Sequence, residues 1–243
     1  MPASDIGLTP AVAVVPAAGA STRMGPSAMK KTYTNVAGHP LIVHTISRLL
    51  AAPEVAHVYL VVGPEEASGC SDAVLAPHGL ADDVTVVVGG SSRQESVMRG
   101  LIACQGAARF VVVHDGARPL VTPELVARTL AAARQVGAAT VAIPVKDTLK
   151  RGDGEHFVTA SVDREMLWRV QTPQAFRLDL LLDAHVTARS EGIHVTDDAS
   201  LIEHVGRPVQ LVLGDERNIK ITTQDDLPMA EFLLTRTDGG SAF

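Results

Sequence analysis

A series of short runs rich in β-branched apolar residues, most of them closed by glycine or proline, limits the fold more than any other part of this sequence. They are Val12 to Val15, Val58 to Val62, Val84 to Val88, Phe110 to Val113, Thr140 to Val145 and Val209 to Leu213. The first two read as strands buried on both faces, as in a parallel sheet, and the last as a core strand. Between them the apolar residues change to helical spacing. Leu41, Ile42, Ile46, Leu49 and Leu50 make one stripe, opened by Pro40. Val97, Leu101 and Cys104 make another, and Leu178, Leu181 and Leu182 a third. Thr122-Pro123-Glu124 is a helix start, with an N-cap, a proline and an acid at the positive end of the dipole. Strands alternating with helices predict an α/β fold around a mostly parallel sheet.

Composition narrows the partners. At 243 residues the chain is long enough for one α/β domain with a substantial core, or for two small ones. It is 46% hydrophobic but only 3% aromatic, so the core must be built from Ala, Val, Leu and Ile. A formal charge of −6, with no basic run to offset it, argues against a nucleic-acid partner. An acidic protein that binds polyphosphate must concentrate its cations locally. Cys70 and Cys104 lack a CxxC spacing, which disfavours structural zinc and a redox motif and fits a reducing compartment. The opening MPASDIGLTP has no basic region and no apolar signal core, and no apolar run is long enough to span a membrane. A cytoplasmic protein is expected.

The candidate chemistry lies where strands end. After Val15 comes Pro16-Ala17-Ala18-Gly19-Ala20-Ser21-Thr22-Arg23-Met24-Gly25. Small side chains let backbone N–H groups approach phosphate, and Arg23, Lys30 and Lys31 add fixed charge. The same stretch would also serve as a plain strand-to-loop turn with solvated cations. Gly89-Gly90-Ser91-Ser92-Arg93 follows the third strand and either offers more N–H groups at the sheet edge or simply makes a tight βα turn. His114-Asp115-Gly116-Ala117-Arg118-Pro119 sets an acid and a base at the end of the fourth. An exposed carboxylate there suits a hard divalent cation, and equally a turn closed by an Asp–Arg pair. Residues 147–151 and 156–162 flank Gly152-Asp153-Gly154 and read as a polar hairpin that needs a partner surface. Asp197 and Asp198 precede a short helix carrying Leu201, Ile202 and Val205, where capping and ligand contact explain them equally well.

These motifs together, in order and from Ala13 to Thr222, resemble those of the 2-C-methyl-D-erythritol 4-phosphate cytidylyltransferases of the non-mevalonate isoprenoid pathway. Ser21 stands where that family usually has a second glycine, Gly116 where it has alanine, and no proline precedes the lysine pair. The resemblance implies a single nucleotidyltransferase domain over residues 1–243, with a Rossmann-like sheet, helices on both faces and a protruding β-hairpin arm. The arm, at about residues 147–163, would join a homodimer. The implied reaction is attack by a polyol phosphate on the α-phosphorus of CTP, with Mg2+. Catalytic roles fall to Arg23, Lys31, Arg164 and Lys220; counting back from Gly38 and Pro40 selects Lys31, whereas counting forward from Arg23 permits Lys30 as well. CTP would meet Pro16, Ala17, Ala18, Gly19, Ala20, Ser21, Gly89, Gly90, Arg93, Ser96, Asp115 and Gly116. The second substrate would meet Asp115, Arg118, Thr148, Arg164, Thr172, Thr196 and Lys220, and Asp115 would hold the metal. A ribitol-5-phosphate cytidylyltransferase shares most of these motifs. A guanylyl- or uridylyltransferase would differ in the base pocket, and a non-catalytic nucleotide sensor would not need all four cations.

Overall fold

The computed structural model describes residues 10–19 and 31–238. In chain order the strands are β1 (Ala11–Pro16), the two-residue β2 (Asn35–Val36) and β3 (His39–Pro40), β4 (Val55–Val62), β5 (Val84–Val88), β6 (Phe110–Val113), β7 (Ala138–Pro144), β8 (Leu149–Gly152), β9 (Val158–Val162), β10 (Trp168–Arg177) and β11 (Gln210–Leu213). The helices are α1 (Leu41–Leu50), α2 (Pro64–Cys70), α3 (Arg93–Ala103), α4 (Pro123–Val136), α5 (Leu178–Glu191), α6 (Ala199–His204) and α7 (Asp226–Asp238).

Seven strands form one sheet in the order β11-β7-β10-β6-β1-β4-β5. All run parallel except β10, which lies antiparallel between β6 and β7. Within β1 the side chains alternate between two cores. Ala11, Ala13 and Val15 pack with α1 and α4 on one face, and Val12 and Val14 with α3, α5 and α6 on the other. That explains why the run contains no polar residue: a central strand has no solvent face to offer one. From β1 the chain builds outward to β4 and β5, then returns to place β6 on the other side. The crevice at this reversal, beyond the C-terminal strand ends, is where such folds bind ligands.

Three elements differ from the sequence reading. The long strand β10 replaces a segment with no expected strand. The strand expected in the core at Val209 to Leu213 is a sheet edge, with Leu213 58% exposed. The hairpin of β8 and β9 is present, but its turn spans Asp153 to Phe157 rather than a two-residue Asp-Gly. The Asp153 carboxylate accepts from the Glu155 and Phe157 N–H groups, which holds the wider loop closed.

Candidate active site

Five segments meet beyond the C-terminal strand ends and enclose a cavity of about 400 Å³. The turn after β6 brings Asp115 and Arg118, the first turn of α3 brings Arg93, and β10 brings Val170, Gln171, Thr172 and Gln174. The segment before α6 brings Thr196 and Asp197, and the loop after β11 brings Lys220. A larger concavity, about 600 Å³, lies along α1 and is lined by His39, His44 and His78. The smaller one gathers the charges and is the candidate site.

At its floor Asp115 is 8% exposed and faces three cations. Lys220 Nζ lies 2.8 Å from Oδ2, Arg118 Nε 3.6 Å from Oδ2, and Arg93 Nε 3.4 Å from Oδ1. Burial alone would raise the carboxyl's pKa, but Lys220, then Arg93 and Arg118, outweigh it and hold the group ionised far below the usual range. The expectation that this carboxylate is exposed is therefore corrected. Both oxygens point at cations, and among the described residues no group of three His, Cys, Asp or Glu side chains is arranged to hold a metal.

The turn carrying Asp115 and Arg118 is fixed from below by His114, which is fully buried. Its Nε2 lies 3.0 Å from the Arg118 carbonyl, which can only accept, so Nε2 carries the proton. The Thr172 hydroxyl then donates to Nδ1 at 3.0 Å while accepting from the Asp115 N–H at 3.0 Å. Burial pushes the imidazole pKa down to about 4, so the ring is neutral near pH 7. With its proton committed, the Thr172 hydroxyl has none to give an anion; its visible work is to hold Asp115. Asn218, 1% exposed, ties the Lys220 loop to the same place. Its carbonyl accepts from Arg118 at 2.7 Å, and its Nδ2 donates to the Thr172 carbonyl at 2.8 Å.

The acids before α6 do not cap it. The N–H groups of Asp198 and Ala199 donate instead to Oε1 of Gln174, on β10, at 3.1 and 3.2 Å. Gln174 Nε2 in turn donates to Asp197 Oδ2 at 2.7 Å and Thr140 Oγ1 at 2.9 Å, so the buried amide is fully used. Asp198, 1% exposed, forms an ion pair with Arg93 at 2.8 Å.

Of the residues expected to bind nucleotide, Arg93 and Asp115 reach the cavity. Pro16, Ala17, Ala18 and Gly19 lead out of β1 and are not part of the cavity's lining; Ala17 N–H is bonded to the Val61 carbonyl of β4 at 2.7 Å. The Gly89-Gly90 turn is not a free anion nest. Gly89 N–H donates to the Val62 carbonyl at 2.7 Å, Gly90 N–H to Ser96 Oγ at 3.1 Å, and Ser91 N–H to Glu95 Oε2 at 2.8 Å. Gly89 is needed for close approach, since a Cβ there would sit 2.6 Å from that of Ala18. Ser96 is 2% exposed and occupied by this turn, and Gly116 packs against Ile42 and Val15. Thr196 and Lys220 line the cavity, whereas Thr148 and Arg164 stand exposed at the base of the arm. There Arg164 donates to the Lys146 carbonyl, and Glu216 pairs with Lys146 at 3.0 Å and Arg169 at 2.7 Å. Ala20, Ser21, Arg23, Lys30 and the Lys31 side chain lie outside what is described; the Lys31 backbone begins a short 3-10 helix. Sequence reasoning missed Gln174, His114 and Asn218 as site-building residues and left Asp198 between cap and ligand contact, because each works through a partner distant in sequence.

A family model described as IspD: 2-C-methyl-D-erythritol 4-phosphate cytidylyltransferase matches residues 11–236. The chain belongs to that family. A relative of that name from Desulforamulus reducens is 45% identical over 225 residues, covering 93% of this chain and 96% of its own. A bifunctional enzyme IspD/IspF from Desulforudis audaxviator is 47% identical over 223 residues, 92% of this chain and 56% of that protein. Among solved structures, the family member from Thermus thermophilus superposes with TM-score 0.77 at 37% identity, covering 93% of this chain and 99% of that one. The cavity therefore sits in a fold that the family shares along nearly its whole length.

Proposed function

We infer that the protein transfers a cytidylyl group from CTP to 2-C-methyl-D-erythritol 4-phosphate, releasing pyrophosphate and forming the CDP-alcohol for isoprenoid precursor synthesis. The observation that carries this is the 45% identity over 93% of the chain to a protein of that name. It favours the branched tetritol over ribitol 5-phosphate, and an enzyme over a sensor. No helix among the described residues is long and apolar enough to cross a membrane. Two buried free thiols suit a reducing cytoplasm, which we take as the compartment.

A phosphate oxygen of the polyol forms the new bond to the α-phosphorus, and the bond from that phosphorus to the β-phosphate oxygen breaks. Pyrophosphate leaves with the electron pair. The nucleophile is already an anion, so no general base is needed; His114 is buried and holds its proton on the Arg118 carbonyl. The barrier lies in bringing anions together, which positioning and preorganised cations lower. Lys220 and Arg118 hold the incoming phosphate, with Thr196 at the rim. Arg23 and Lys31 take the charge at the α-phosphate, and Asp115 acts as the hub that aims the cations. Mg2+, when bound, would supply charge neutralisation at the triphosphate, and Asp115, whose oxygens face Lys220, Arg118 and Arg93, would be near it only through those cations. The arm, with Arg164 and Thr148 at its base, reaches a second subunit and completes that subunit's site.

Purified protein with Mg2+, assayed with each of the four nucleoside triphosphates and both polyol phosphates, should release pyrophosphate only from CTP with methylerythritol phosphate. Turnover of ribitol 5-phosphate alone would leave the chemistry and replace the substrate. CTP binding without turnover would favour the sensor.

A further inference from the structure

A buried carboxylate that serves no helix cap calls for another reason to be there. Asp198 is 1% exposed at the start of α6, yet its side chain accepts no hydrogen bond from the helix N-terminus. Gln174 already satisfies the N–H groups of Asp198 and Ala199. What the carboxylate meets is Arg93 Nη1 at 2.8 Å and, behind it, His185 Nε2 at 3.5 Å on α5. Arg93 uses its Nε, 3.4 Å away, on Asp115 Oδ1, while Lys220 holds Oδ2. The guanidinium is thus shared between two carboxylates, Nη1 on Asp198 and Nε on Asp115.

We propose that Asp198 is a positioning residue: by holding one edge of Arg93 it keeps that guanidinium from closing onto Asp115, and so leaves Lys220 and Arg118 aimed into the cavity. Without the Asp198 charge, Arg93 would turn to make a two-pronged pair with Asp115, the favoured geometry of guanidinium with carboxylate. Lys220 would then lose the oxygen that aims it. Asp198 touches no substrate; it acts through Arg93 on the residues that do. The proposal rests on the transferase reading of this cavity, with the polyol phosphate as the ligand those cations receive.

The test combines Asp198→Asn, which keeps shape and removes charge, with Arg93→Ala. In the wild-type background Asp198→Asn should raise KM for the polyol phosphate about tenfold and change KM for CTP by less than about twofold. In the Arg93→Ala background the same change should leave KM for the polyol phosphate unaltered, because the residue through which Asp198 acts is gone. Stability should move the other way. Arg93→Ala strands a buried charge and lowers Tm, and adding Asp198→Asn should recover much of that loss. An equal rise of KM in both backgrounds, or no rise in either, would overturn the proposal. If Asp198→Asn alone does not fold, Asp198→Ser in both backgrounds supplies the kinetic comparison, and Arg93→Ala with and without Asp198→Asn the thermal one. A wild type that leaves CTP intact would overturn the reaction instead, while recovered Tm would still show Asp198 and Arg93 to be paired.

Discussion

Among single residues, the site is organised by groups that never face solvent. His114 has a folded pKa of about 4 against 6.5 for the free side chain, so its neutral form stabilises the native state. That stabilisation is complete above pH 6.5 and is lost as the pH falls toward 4, because the unfolded chain binds the proton first. The shift corresponds to about 3 kcal/mol over that window. The charged groups around it are Asp115, Arg118 and Lys220; Asp115 stays ionised throughout, so it does not titrate in the same range. Urea unfolding of the wild type at about pH 6.5 and about pH 4.5 should show this slope, and His114→Gln should flatten it. A variant that keeps the wild-type slope would mean that another group titrates. Residue types were legible in the sequence here, since His114-Asp115-Gly116-Ala117-Arg118 marks itself as a strand-end turn. Its burial was not, because the cations that permit it come from Arg93 and Lys220, in segments far apart in the chain.

Among the elements, the apolar runs located the parallel strands because a doubly covered strand cannot hide a polar residue. The same rule concealed β10. Gln171, Thr172 and Gln174 are buried polar residues in mid-sheet, and Pro173 falls where β10 and β7 slip register between Val170 and Gln174. None of this resembles an apolar run, yet each polar group is there for a partner: Gln171 for the Lys220 loop, Thr172 for His114, Gln174 for α6. The cap of α6 comes from another element altogether, a form of capping that local sequence cannot display. Gln174→Leu should leave several buried donors and acceptors unpaired and cost on the order of 3 kcal/mol in urea unfolding. Amide exchange at Asp198 and Ala199 should accelerate with it. A loss below about 0.5 kcal/mol would mean that α6 does not depend on the strand.

For the molecule entire, fold class and arm were both legible, the first from alternation and the second from a stretch too polar to make a core. Along the arm and its return, Phe157, Val158 and Met166 are 67%, 64% and 83% exposed, an apolar surface suited to a second subunit. If each site draws Arg164 from the other chain, Lys31→Ala and Arg164→Ala should each be nearly inactive alone. Mixed after subunit exchange, about half the dimers would carry one intact site, and roughly a quarter of wild-type activity should return. Failure to recover activity despite proven exchange would place Arg164 in its own chain's site.

The proposed reaction has one chemical step, in which the polyol's own phosphate attacks the α-phosphorus of CTP among fixed cations. An isotope can follow that step: 2-C-methyl-D-erythritol 4-phosphate carrying oxygen-18 in the free oxygens of its phosphate, converted with unlabelled CTP and read by mass spectrometry and phosphorus NMR. All label should appear in the CDP-alcohol, with one heavy oxygen bridging the two phosphorus atoms, and pyrophosphate should be unlabelled. Label in pyrophosphate, or a bridging oxygen without the heavy isotope, would rule this chemistry out.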